Sequence, residues 1–125
     1  MGEDDAALKY DDDKPRYDLI PPEPLDGIAR LFGHGAKKYG DRNWEKGMKW
    51  SRIFAAMMRH AWKWFRGERY DNEDGQHHLL SVIWCAMVLY SYQARMVGTD
   101  DRPTGSLVFG PTYEALWRHP AIDSK

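Results

Sequence analysis

LLSVIWCAMVLY, residues 79–90, is apolar or aromatic at every position except Ser81. It shows no alternation of apolar and polar residues, and it is far short of the roughly 20 residues needed to span a bilayer. The reading is a helix running from Asp74 or Gly75 to Met96. A helix that is apolar nearly all the way round needs cover on more than one side, so it is a central helix, an oligomer interface, or both.

Upstream, SRIFAAMMRHAWKWFR (51–66) places Ile53, Met57, His60 and Trp64 on one face at i, i+4, i+7 and i+11. Ser51 is the expected N-cap and Gly67 the expected C′ residue. A first helix is expected from about Pro24 to Lys38, with Leu25, Ile28, Leu31 and Phe32 at helical spacing and a bend or break at Gly33 and Gly35. The stretch YGDRNWEKGMKW (39–50) reads as a loop. Three helical stretches without an alternating run predict an all-α fold, a small helical bundle whose second and third helices pack antiparallel across a short loop.

Outside this unit, MGEDDAALKYDDD (1–13) is an acidic tail without apolar periodicity and is expected to be disordered. Residues 14–97 form the expected all-α domain. Residues 98–125 are a linker and extension, with one short helix over PTYEALWR opened by Pro111.

The chain has 125 residues, enough for one core, and its 18 Lys plus Arg against 19 Asp plus Glu leave a net charge of −1. That balance excludes broad attraction to extended nucleic acid or anionic lipid. Cys85 is the single cysteine, so no internal disulfide forms, and its apolar setting marks a buried side chain rather than a reactive thiol. No apolar leader precedes a cleavage site, and a cytoplasmic location is expected.

Chemistry concentrates in GERYDNEDGQHH (67–78). Antiparallel packing puts His60 about 10 Å along the axis from Gly67 and His78 about 5 Å from Gly75. Glu68, Asp71, Glu73 and Asp74, with His78 and His60, can then converge on a divalent cation: carboxylates suit Mg2+ or Mn2+, and imidazole shifts preference toward transition metals. The spacing matches no tight metal signature. The competing reading is structural, with the Asp and Asn residues at 71–74 capping the third helix.

A second group is GAKKYGDRNW (35–44), where Lys37, Lys38 and Arg42 can neutralise phosphates, Tyr39 or Trp44 can stack on a base, and Asn43 can read its edge. Its structural alternative is a surface loop anchored by Trp44. Arg59, Lys63, Arg66 and Arg69 make a basic strip at the end of the second helix, or a solvated face. The Met and Trp stripe of that helix reads as core.

Taken together, KPRYDLIPPEPL, HGAKKYGDRNWEKG and AAMMRHAWKWFRGERYDNEDGQHHL resemble the phage-type dATP/dGTP diphosphohydrolase N-terminal domain family, across about residues 14–96. The resemblance implies an all-α nucleotide-processing protein related to MazG-like nucleoside triphosphate pyrophosphatases, which carry E-x-x-E and E-x-x-D pairs on neighbouring helices. This chain departs from that pattern: neither 51–66 nor 77–96 holds an Asp or Glu, and where the family often shows H-x-x-H it has His78 and Ser81. A metal set here must come from loop acids and histidines.

The resemblance therefore implies metal-dependent hydrolysis of a purine deoxynucleoside triphosphate to monophosphate and pyrophosphate. His60, Glu68, Asp71 and His78 would hold Mg2+ or Mn2+, and Glu73 or Asp74 would orient water. Lys38 and Arg59 would bind phosphates, with Tyr39, Asn43 and Trp44 at the base. The rival is a noncatalytic nucleotide-binding or helical interaction module. A homo-oligomer, as a dimer, is expected from the all-round apolar third helix, and a phage-encoded protein would act in the host cytoplasm.

Overall fold

The computed structural model describes residues 6–103. Three helices carry the fold: α1 over Pro22–Tyr39, α2 over Trp50–Phe65 and α3 over His78–Arg95. Short 3-10 turns occupy Tyr17–Leu19 and Asn43–Lys46, and among the described residues no strand forms, only isolated bridges at Lys49–Thr99 and Tyr70–His77. The fold is all-α. No described helix is long and apolar enough to cross a membrane.

α1 begins where its prolines allow, with Pro22 in the first turn, and runs through Gly33 and Gly35 without the expected break. α3 starts later than the sequence suggested. Its N-cap is His77, whose Nδ1 accepts the Leu79 N–H at 3.0 Å, so Asp71 and Asp74 do not cap the helix. They close turns within the preceding loop, Asp71 Oδ1 accepting from Glu73 N–H at 2.7 Å and Asp74 Oδ1 from Gln76 N–H at 2.9 Å. Gly67 takes φ +106, as a residue just past α2 should. The helix expected over 111–118 lies outside the described residues, as do residues 1–5 of the acidic tail, while residues 6–13 are exposed.

α2 and α3 are antiparallel: Trp50 at the start of α2 bonds to Val97 beyond α3, and His60 meets His78 at its start. Their seam is the core, Trp50, Ile53, Cys85, Val88 and Tyr92, with Met57, Trp84, Leu89 and Val97 against it. α1 packs on α3 as well, Gly27 bringing it close to Leu80. The Tyr92 hydroxyl donates to the Trp44 carbonyl, and the Trp44 ring stands 6.1 Å from both Phe32 and Tyr92 with the Arg95 guanidinium 5.4 Å above it. Trp44 thus pins the 40–47 loop to the bundle.

From residue 98 the sequence reads as a linker, but residues 97–102 fold back over the start of α2. Thr99 exchanges backbone hydrogen bonds with Met48 and Trp50, and Asp101 accepts both the Ser51 N–H at 2.9 Å and its hydroxyl. Ser51 is therefore inside the helix, and a carboxylate fifty positions away does the capping, which local sequence cannot reveal. At Gly98, φ +79, an added β-carbon would run into the Met48 carbonyl, and the Gly98 α-carbon lies 2.9 Å from where a Gly47 β-carbon would stand. Any side chain there meets backbone that cannot swing away. Gly98→Ala should cost about 2 kcal/mol, read as a lower urea midpoint with an unchanged m-value.

Candidate metal and nucleotide site

Two helix positions and one loop residue meet at the end of the α2–α3 pair. His60 and Asp71 bring side-chain atoms to 3.7 Å, the Nδ1 atoms of His60 and His78 lie 2.9 Å apart, and one ligand-capable atom from each of the three falls within 4.8 Å of the others. Asp71 and His78 are buried. Such a group can hold a metal ion. Two donors each about 2.1 Å from one ion and at right angles to it stand about 3 Å apart, which the imidazole pair already matches.

Glu68, expected among the metal ligands, lies outside this three-residue group. Its Oε2 lies 3.0 Å from His78 Nε2, on the side of the ring away from His60. An ionised carboxylate only accepts, so His78 carries its proton on Nε2 and offers the Nδ1 lone pair toward His60. A carboxylate behind a ligating imidazole fixes its tautomer and raises its basicity. Without an ion, His60 Nδ1–H donates to that lone pair, and ion binding would require His60 to move its proton to Nε2 and both Nδ1 lone pairs to turn toward the ion.

Burial pushes the His60 pKa below the ordinary imidazole value, and a charge on His78 would push it further, while Asp71 and Asp74 pull the other way. Asp71 is held below the usual carboxylate range, chiefly by the Glu73 N–H. Neutral pH therefore finds a lone-pair donor beside an anion. A histidine whose folded pKa is depressed contributes stability above its unfolded value of about 6.5 that is lost as pH falls through that range. The metal-free protein should lose stability as pH falls from about 6.5 toward the lower folded value, and His60→Gln should flatten that slope, as urea melts across the range would show.

His60 also faces a cleft of about 1140 Å3 between the C-terminal half of α1, the 40–48 loop, α2 and α3. Lys38, Tyr39, Asn43, Trp44 and Arg59, the five residues singled out for nucleotide contact, all line it, and so does Asp74. Glu73 is exposed and does not line the cleft. Sequence reasoning missed Arg52, His34 and Ser81 on its wall. Arg52 was legible, since it lies seven residues before Arg59 on the same helix flank. Between these arginines the cleft wall is Ala55 and Ala56, small enough to let a ligand lie close. Cys85 also reaches the cleft wall, but burial pushes its thiol up to about 11, so it is no nucleophile at neutral pH.

The family model described as dATP/dGTP diphosphohydrolase, N-terminal, matches residues 4–102. The chain belongs to this family. The match ends at the residue where the fold-back over α2 ends, so the family unit includes the cap supplied by Asp101. A dATP/dGTP diphosphohydrolase of Salmonella phage PMBT28 is 29% identical over 120 residues, which cover 96% of this chain and 41% of that relative. This member of the family thus spans less than half the length of the curated relative it matches. No solved structure matches the chain.

Proposed function

We propose that this domain binds a purine deoxynucleoside triphosphate in the α1–α2 cleft and hydrolyses it to the monophosphate and pyrophosphate. One observation carries the reading: His60 belongs both to the metal-capable group and to the wall of the cleft that the nucleotide-contact candidates share. His60, Asp71 and His78 would hold the divalent ion. Two nitrogens and one oxygen suit Mn2+ better than Mg2+. A bound ion would supply charge neutralisation of the phosphates and a lower pKa for an adjacent water.

The chain's own groups do the rest. Arg59, Arg52 and Lys38 bind phosphate oxygens, Tyr39 and Asn43 contact the base, and Trp44 forms the wall behind it. Water attacks the α-phosphorus, the α–β anhydride bond breaks, and pyrophosphate leaves. Asp74, one of whose oxygens is free of the Gln76 contact, orients that water. The setting proposed is the host cytoplasm.

A noncatalytic nucleotide-binding module is the second reading, favoured by the single carboxylate in the metal group and by the 41% coverage of the relative. Incubation with dATP or dGTP and Mn2+ or Mg2+ separates them. Release of pyrophosphate, faster with Mn2+, is expected. Absence of turnover with every pair would overturn the hydrolase reading, and a nucleotide-dependent rise in melting temperature would then favour the binding module.

A further inference from the structure

Phe54, Met58, Trp62 and Phe65 stand at i, i+4, i+8 and i+11 on α2 and are 52, 39, 55 and 72% exposed. At about 100° per residue, Arg52, Arg59 and Lys63 of α2 and its C-cap Arg66 fall on the adjoining, cleft-side flank. α3 repeats the division. Leu80 and Trp84 meet α1 at Gly27 and Phe32, while the other flank, with Val82 and Ala86, leads to Leu79 and Tyr90 at 37 and 79% exposure. The two apolar stripes form a back face bordered along α2 by Arg59, Lys63 and Arg66, which share a surface pocket with Met58 and Trp62.

We infer that a second copy of this chain covers this face, α2–α3 pair against α2–α3 pair, so that four helices make the dimer core. Aromatic side chains bury roughly 150–250 Å2 each, so the four that are more than half exposed leave on the order of 500 Å2. Met58, Leu79 and the smaller residues between them bring the face toward the about 800 Å2 per partner of a stable interface. Two copies related by a two-fold axis bury like against like across the stripe, with the basic residues left at its rim. Both clefts stay open on the outer sides. The inference does not rest on the nucleotide reading.

Sedimentation velocity of the 125-residue protein at micromolar concentration should show a dimer. Trp62→Glu combined with Phe65→Glu should raise the dissociation constant by about 30-fold or more while helical circular dichroism stays unchanged. Ala86→Arg, on the other helix, should do the same, which keeps the test open if the double variant fails to fold. Leu25→Glu, at an exposed apolar position of α1, should leave the dimer intact. A monomeric wild type, a dimer that survives the back-face variants, or one dissociated by Leu25→Glu would each overturn the inference.

Discussion

Asp71→Asn should abolish Mn2+-dependent thermal stabilisation and lower pyrophosphate release at least about 100-fold, while the metal-free protein melts within about 2 °C of wild type. The two oxygens of Asp71 have separate duties. Oδ1 accepts the Glu73 N–H at 2.7 Å and shapes the loop, whereas Oδ2 faces His60 Nδ1 at 3.7 Å. An asparagine keeps the first contact through its amide oxygen but puts an NH2 group, with no lone pair for an ion, in place of the second. Melting curves with EDTA, Mg2+ and Mn2+ would check this, and metal dependence equal to that of wild type would remove Asp71 from the site.

His78→Ala should be the most damaging single change, lowering stability by about 3 kcal/mol and the melting temperature by about 15 °C. The His78 side chain is fully enclosed, and its ring nitrogens are both engaged, one by Glu68 at 3.0 Å and one by His60 at 2.9 Å. Truncation leaves a void and strands both partners. His60→Ala is different in kind, because His60 retains 20% side-chain exposure on the cleft wall. It should lose the metal response with a smaller thermal cost, about 1 kcal/mol. Calorimetry of both variants with EDTA and with Mn2+ separates the two roles, and equal thermal losses would contradict them.

Helix number and order were legible because apolar periodicity is strong in 51–66 and the run 79–90 is apolar at every position but Ser81. Helix ends were less so. Asp and Asn in a loop favour both caps and turns, and here turns closed by Asp71 and Asp74 won, leaving His77 to start α3. Similarly, Ser51 resembles an N-cap, yet the partner of its N–H is Asp101, whose approach depends on Gly98 passing over Met48. That is long-range information no window around residue 51 contains.

For the site, residue types were informative and roles were not. The histidines and acids of 60–78 do gather, but distinguishing Glu68 behind His78 from Asp71 in front of it requires knowing which ring nitrogen faces which group. Four of the five cleft residues, Lys38, Tyr39, Asn43 and Trp44, stood out by composition in the 35–44 loop. Arg52 was passed over because it lies outside both that loop and the basic strip at the end of α2 that contains Arg59, although the helix brings it to the same wall.

The most direct measurement is anomalous scattering at the manganese edge from crystals grown with Mn2+ and a non-hydrolysable dGTP analogue. A peak about 2.1 Å from His60 Nδ1, His78 Nδ1 and Asp71 Oδ2, with the analogue's phosphates reaching it from the α1–α2 cleft, is the expected result. A peak held by Glu68, Glu73 or Asp74 instead, or no peak between the two imidazoles, would contradict the proposed site.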